Sequence, residues 1–239
     1  MADPATLKER IIRGDRVIGV SAPLTATKSE IEDILGRDTY DFLSSYAQHS
    51  PYNEERLVEF CGIADELGMP VQFRIKHTRH TYLTGNIADL GPLGLEVPLV
   101  EEEAEADEAI KWFYYPQFGH RSMGGSFRYG VGDMDRLEYA RWWNDHGILC
   151  LQLESLKAVT NAKQLAKRGV TCFTWGPSDL TFDIEAHPHH PLKSVDDCVR
   201  HVIEQLKGTD VKVNFRNYDP ALRDHYAEMG VTVFMERPR

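Results

Sequence analysis

Eight short apolar or β-branched runs recur along the whole chain: "RVIGVSA", "YDFLSSY", "VQFRIKH", "GLEVPLV", "ILCLQLE", "VTCFTWG", "VKVNFRN" and "VTVFME". Most of the stretches between them carry helical periodicity. Leu57, Phe60, Cys61, Ala64 and Leu67 form one apolar stripe, and Val195, Cys198, Val199, Val202, Ile203 and Leu206 form another. Gly68 and Gly208 stand where those helices would stop. About eight strands alternating with helices in 239 residues predict a (β/α)8 TIM barrel occupying residues 1–239 as one α/β domain. A doubly wound open sheet is the rival, but no Gly-rich phosphate turn follows the first run. Two irregularities stand out. A Gly-rich segment, "YPQFGHRSMGGSFRYGVGD", interrupts the alternation, and the chain stops at "FMERPR", so the usual closing C-terminal helix is expected to be absent.

Composition narrows the function classes. The net charge is −10, which argues against a general nucleic-acid or anionic-membrane surface. No apolar run approaches the roughly 18 residues of a membrane span, and the N-terminal "MADPATLKERIIRGDR" has no apolar signal core. Cys61, Cys150, Cys172 and Cys198 lie in apolar stretches without a CxxC pair, as reduced thiols of a cytoplasmic protein do.

Strand alternation points to chemistry. In "ILCLQLE", Leu149, Leu151 and Leu153 share one face, while Cys150, Gln152 and Glu154 share the other. With the leucines against the helices, the second row faces the barrel axis and ends at the C-terminal mouth, where barrel active sites lie. "VQFRIKH" likewise turns Gln72 and Arg74 inward. An inward Arg or Glu is costly unless paired or liganded, so a structural Arg–Glu pair is the competing reading. In "WGPSDL", after the sixth run, Asp179 opens the next segment, where it serves either as a helix cap or as a ligand. Together Glu154 and Asp179 can converge on a hard divalent cation such as Mg²⁺ or Mn²⁺. Arg121, in "HRSMGG", sits in a Gly-rich loop able to close on an anionic substrate. "EAHPHHP" has the look of a metal tract, but its prolines favour an irregular loop; "HTRH" reads as a polar loop.

The set "QHSP", "YYPQFGHRSMGG", "LQLES" and "WGPSDL", in this order from about Leu7 to Glu236, resembles the HpcH/HpaI family of class II pyruvate aldolases. The resemblance implies Glu154 and Asp179 as metal ligands, with Mg²⁺, Mn²⁺ or Co²⁺ as cofactor. It implies Arg74 on the carbonyl or enolate oxygen, Gln152 beside the keto acid, and the Ser178–Asp179 backbone on its carboxylate. His49 would be the general base, and Asp89 an acid reaching the histidine region across a subunit contact. The implied activity is cleavage or formation of 4-hydroxy-2-oxo acids by way of a pyruvate-type enolate held at the metal. Its partners would be a keto acid and an aldehyde, in a homo-oligomer (hexamer or trimer). Where the family usually reads D-x-E-H, this chain reads Tyr46-Ala47-Gln48-His49. The imidazole loses an orienting carboxylate, and weaker aldol proton transfer or a changed substrate is expected. Alternatives on the same scaffold are an oxaloacetate-type decarboxylase, an enolate C–C bond-forming synthase, and a non-catalytic keto-acid or metal-binding barrel.

Overall fold

The computed structural model describes residues 5–217 and 219–239. Eight strands, β1 (Val17–Ser21), β2 (Phe42–Tyr46), β3 (Val71–Arg74), β4 (Gly94–Val97), β5 (Ile148–Leu153), β6 (Cys172–Trp175), β7 (Lys212–Asn217) and β8 (Val233–Glu236), correspond one for one to the eight runs. All pair in parallel with their sequence neighbours, and β8 returns to β1 through Val17↔Val233 to Val20↔Glu236, closing the barrel. The expected (β/α)8 architecture is therefore the observed one.

Eleven α-helices lie among the described residues: α1 (Leu7–Arg13), α2 (Lys28–Leu35), α3 (Glu54–Glu66), α4 (Thr84–Ala88), α5 (Glu103–Phe113), α6 (Arg136–His146), α7 (Leu156–Thr160), α8 (Ala162–Leu165), α9 (Pro177–Ala186), α10 (Val195–Gln205) and α11 (Arg223–Glu228). Reciprocal capping boxes start several of them, with Thr6 and Glu9 on α1, Thr27 and Glu30 on α2, and Asp135 and Glu138 on α6. The acidic run before Phe113 forms the first turns of α5, where carboxylates suit the helix dipole. Apolar stripes then fix which face turns inward. Leu57, Phe60, Cys61 and Ala64 of α3 are buried, as are Cys198, Val199 and Val202 of α10. Residues 237–239 after β8 carry no helix.

The barrel interior changes character along its axis. Its floor is apolar: Phe42 lies across β1, and a Cβ on Gly19 would come within 2.2 Å of the Phe42 ring. Above the floor the inward rows turn polar, with Gln72, Arg74, Glu96, Gln152, Thr174, Asn214 and Arg216 all buried. A buried polar layer is stable only if its members satisfy one another or a ligand.

Candidate active site

The C-terminal end of β5 builds one wall of the barrel mouth. Gln152 faces inward and its Oε1 accepts a hydrogen bond from Arg74 Nη1 at 3.2 Å. Glu154 is buried just past the strand, and its Oε1 accepts from the Leu99 N–H at 3.2 Å. Leu99 makes that contact from a left-handed backbone, φ 53°, a conformation that costs a non-Gly residue about 1–3 kcal/mol. The Thr78 hydroxyl pins this turn by donating to the Pro98 carbonyl at 2.6 Å. The other oxygen of Glu154, Oε2, is buried with no hydrogen-bond partner. Burial first, and then the neighbouring Asp179 carboxylate, push the Glu154 carboxyl up to about 8.

β6 and α9 supply the facing wall. Gly176 is needed for contact reasons: a Cβ there would stand 2.6 Å from Glu154 Oε2 and 3.0 Å from Gln152 Nε2. α9 then starts at Pro177 with no side-chain cap, so its first amides are open where Ser178 and Asp179 are exposed. Asp179 thus lies within the first turn of the helix and is not its cap. Two carboxyls side by side, one with an orphaned buried oxygen, are the donor set that suits a hard divalent cation completed by water or ligand oxygens. Among the described residues no group of three or more His, Cys, Asp or Glu gathers into a closed metal cage. The fit is therefore to an open cation site.

The sequence reading missed two further charged residues in the interior. Glu96 of β4 is 1% exposed; its Oε1 accepts from Arg216 Nη2 at 2.9 Å, and its Oε2 accepts from Gln72 Nε2 at 3.0 Å. Arg74 Nε stands 3.8 Å from the same Glu96 Oε1. The internal Arg–Glu pair weighed from sequence exists, but with Glu96 as the acid, which leaves Glu154 facing Asp179. The signal was available: alternation in "GLEVPLV" and "VKVNFRN" turns Glu96, Asn214 and Arg216 to one side of their strands, as it does Arg74.

The β2 side is built differently. Tyr46 lies at the end of β2 with its ring 5.1 Å from the Arg74 guanidinium, in a cation–π arrangement. Its carbonyl is capped by the Ser50 hydroxyl, and Gln48 keeps a buried Oε1 without a partner. His49 follows, exposed, with no hydrogen bond among the described residues. No carboxylate among the described residues orients it.

Arg121 and Asp89 correct one expectation. Arg121 does not ride on a loop over the mouth. It is 2% exposed, donates from Nη2 to Asp89 Oδ1 at 2.6 Å, and lies 4.2 Å from the Trp143 ring and 4.7 Å from Tyr115. Aromatic side chains brought by α6 and the end of α5 make a slot that immobilises the guanidinium despite its Gly-rich neighbours. Asp89 ends α4, ahead of β4, and is engaged by Arg121 within the chain. The "HTRH" stretch forms a 3-10 turn, Thr78–Leu83, capped by His77 Nδ1. In "EAHPHHP", His187 Nδ1 contacts the Asp183 carbonyl and His190 Nδ1 accepts from the Leu192 amide. These nitrogens serve local turns. A cleft of about 780 Å³ lies among residues preceding β5, β6 and β7, including Lys8 and Tyr114; none of the candidate site residues lines it.

A closed parallel barrel with paired carboxylates, an arginine and an open helix start at the C-terminal end of its strands is the architecture of a barrel enzyme. The sequence profile of the HpcH/HpaI aldolase/citrate lyase family matches residues 63–230, and the chain belongs to that family. It is accordingly an enzyme of the aldolase and lyase class. A 2-keto-3-deoxy-L-rhamnonate aldolase of Klebsiella pneumoniae is 27% identical over 220 residues, covering 91% of this chain and 80% of that protein. The crystal structure of an HpcH/HpaI aldolase from Desulfitobacterium hafniense superposes with a TM-score of 0.83 at 23% identity, covering 97% of this chain and 90% of that one. Macrophomate synthase superposes at 0.79 with 19% identity, over 98% of this chain and 84% of its own. Among the described residues no helix is long and apolar enough to cross a membrane.

Proposed function

We propose that this chain is a divalent-metal-dependent aldolase that cleaves or forms 4-hydroxy-2-oxo acids through a pyruvate-type enolate. The observation that carries the reading is the orphaned, buried Glu154 Oε2 beside Asp179, with Gln152 of the same wall bonded to Arg74. Glu154 and Asp179 would hold Mg²⁺, Mn²⁺ or Co²⁺, which when bound supplies Lewis-acid polarisation of the keto-acid carbonyl. The open first-turn amides at Ser178 and Asp179 bind the substrate carboxylate. Arg74 stabilises negative charge on the carbonyl oxygen as the enolate forms, where a preorganised donor counts most. Gln152 holds the Arg74 guanidinium on the keto-acid side. His49 takes or returns the proton of the aldol hydroxyl, and pyruvate or a close analogue leaves with an aldehyde. Asp89 would meet this histidine from a neighbouring subunit of a hexamer or trimer. Family membership and the free buried cysteines support a cytoplasmic setting.

A second reading draws support from the β2 side. Decarboxylation of an oxaloacetate-type acid reaches the same enolate without moving a hydroxyl proton, and so tolerates an exposed, unsupported His49. Assays of pyruvate release from several 4-hydroxy-2-oxo acids and from oxaloacetate, each with Mg²⁺ or Mn²⁺, separate the two. Release from the hydroxy acids supports the aldolase, and release from oxaloacetate alone supports the decarboxylase. Release from neither, together with no enolate formation from pyruvate, leaves a binding barrel and ends both enzyme readings.

A further inference from the structure

Glu96 is the charged centre of the barrel interior, and its surroundings are not those of a packing residue. It shares one oxygen between Arg216, at 2.9 Å, and Arg74, at 3.8 Å. The other oxygen accepts from Gln72, whose own Oε1 accepts from Asn214 Nδ2 at 3.2 Å. Arg216 is 6% exposed, and Glu96 is its one strong partner among the described residues. Its Nη1 reaches only the Met235 sulfur, at 3.8 Å, and its Nε is buried without a hydrogen bond. An apolar filling of the same volume is commonly as stable as a buried ion pair or more so, so stability alone does not account for burying Glu96 with two arginines here.

We propose that Arg216 and Glu96 are positioning residues for Arg74. A buried carboxylate needs a counter-charge. If Arg216 did not supply it, the next guanidinium in reach is Arg74, which Glu96 would draw into a full ion pair. With Arg216 in place, Arg74 stays back from Glu96 and keeps Nη1 on Gln152. The Tyr46 ring covers the guanidinium from the β2 side. Arg216 thus sets where Arg74 points, and Arg216 itself touches no reacting atom. The role in turnover rests on the enolate reading given above; the placement of Arg74 does not.

The test uses the full chain with Arg216→Met, Arg216→Lys and the double variant Glu96→Gln/Arg216→Met. In Arg216→Met, the Arg74 Nε to Glu96 distance in a crystal structure is expected to shorten from 3.8 Å to hydrogen-bond range. An unchanged distance overturns the proposal, whether or not the chain turns over any substrate. In metal-dependent deuterium exchange into pyruvate, Arg216→Met should raise the KM for pyruvate at least about tenfold while Mn²⁺ affinity holds, because the substrate contact is lost and the carboxylates are not. Arg216→Lys should recover part of the loss. The double variant should recover most of it, since a neutral amide in place of the Glu96 carboxylate no longer draws Arg74. A double variant no better than Arg216→Met, with Mn²⁺ affinity and melting temperature falling in step, points to a merely structural role and overturns the proposal. Absence of exchange in the unaltered chain counts against the enolate reading alone, and the crystallographic distance still decides the placement of Arg74.

Discussion

The two sides of the barrel mouth are finished to different degrees. On the β5–β6 side, Glu154 is buried, held by the Leu99 amide and pressed against Asp179, with Gly176 leaving just enough room. On the β2 side, His49 is exposed and unbonded among the described residues, Gln48 leaves a buried oxygen unused, and Tyr46 has turned to cover Arg74. The first side contains what the proposed enolate chemistry calls for, two neighbouring carboxyls and an open helix start, with Gln152 reaching across to Arg74 of β3. The second contains what moving an aldol proton requires, but without the carboxylate that would orient the imidazole. The enolate half of the proposed reaction is therefore preorganised in this chain, and the proton half is not.

Four outcomes test that contrast. The largest effect is expected from Glu154→Gln, which removes one of the two carboxylates proposed to hold the metal. Metal-dependent exchange into pyruvate should fall by about 10³ or more, beyond the loss of about 10²–10³ that follows removal of a single oxyanion donor. Activity within about tenfold of the unaltered chain would place the chemistry elsewhere. Next, Arg74→Met should lower the same exchange by about 10²–10³ and leave Mn²⁺ affinity, measured by titration, unchanged.

His49→Ala is expected to do less. A positioned general base typically contributes about 10²–10⁴, and this unsupported one belongs at or below about 10². Only aldol cleavage should feel the change, while exchange into pyruvate continues; equal losses in both assays would place His49 in enolate formation as well. The smallest effect concerns pH. The Glu154 carboxyl is raised from near 4.5 to about 8 in the folded chain, so between those values the folded state binds the extra proton. The contribution of Glu154 to the stability of the metal-free protein should then be fullest below about 4.5 and be lost as pH rises through about 8. Added Mn²⁺ should release that proton and flatten the decline, which urea melts at several pH values can check. A metal-free profile that differs from that of Glu154→Gln by a constant across the window would show that Glu154 is already ionised.

Much of this was legible in the residues. Buried parallel strands are short apolar runs, and all eight could be read for that reason. Strand alternation carried Arg74, Gln152 and Glu154 to the barrel interior, because a one-residue shift would have turned the leucines of β5 from the helices into the polar interior. The same rule reaches Glu96 and Arg216, which alternate with Leu95 and Phe215 on their strands. Arg121 was not legible from its neighbourhood. Its glycines signal a mobile loop, while the residues that hold it, Asp89 and Trp143, are more than twenty positions away on either side. The 3-10 turn after β3 was hidden by polar, β-branched residues whose local preference says little. Its role appears only in the Thr78 bond that supports the Leu99 turn.

In the proposed function, the Glu154–Asp179 side of the mouth forms an enolate with a divalent cation. Proton NMR of pyruvate in deuterium oxide tests it most directly, following the methyl signal with the unaltered chain and with Glu154→Gln. Loss of the signal with Mg²⁺ or Mn²⁺, stopped by a chelator and by Glu154→Gln, is the result predicted. A methyl signal that persists with every metal, or exchanges equally with Glu154→Gln, would contradict the account.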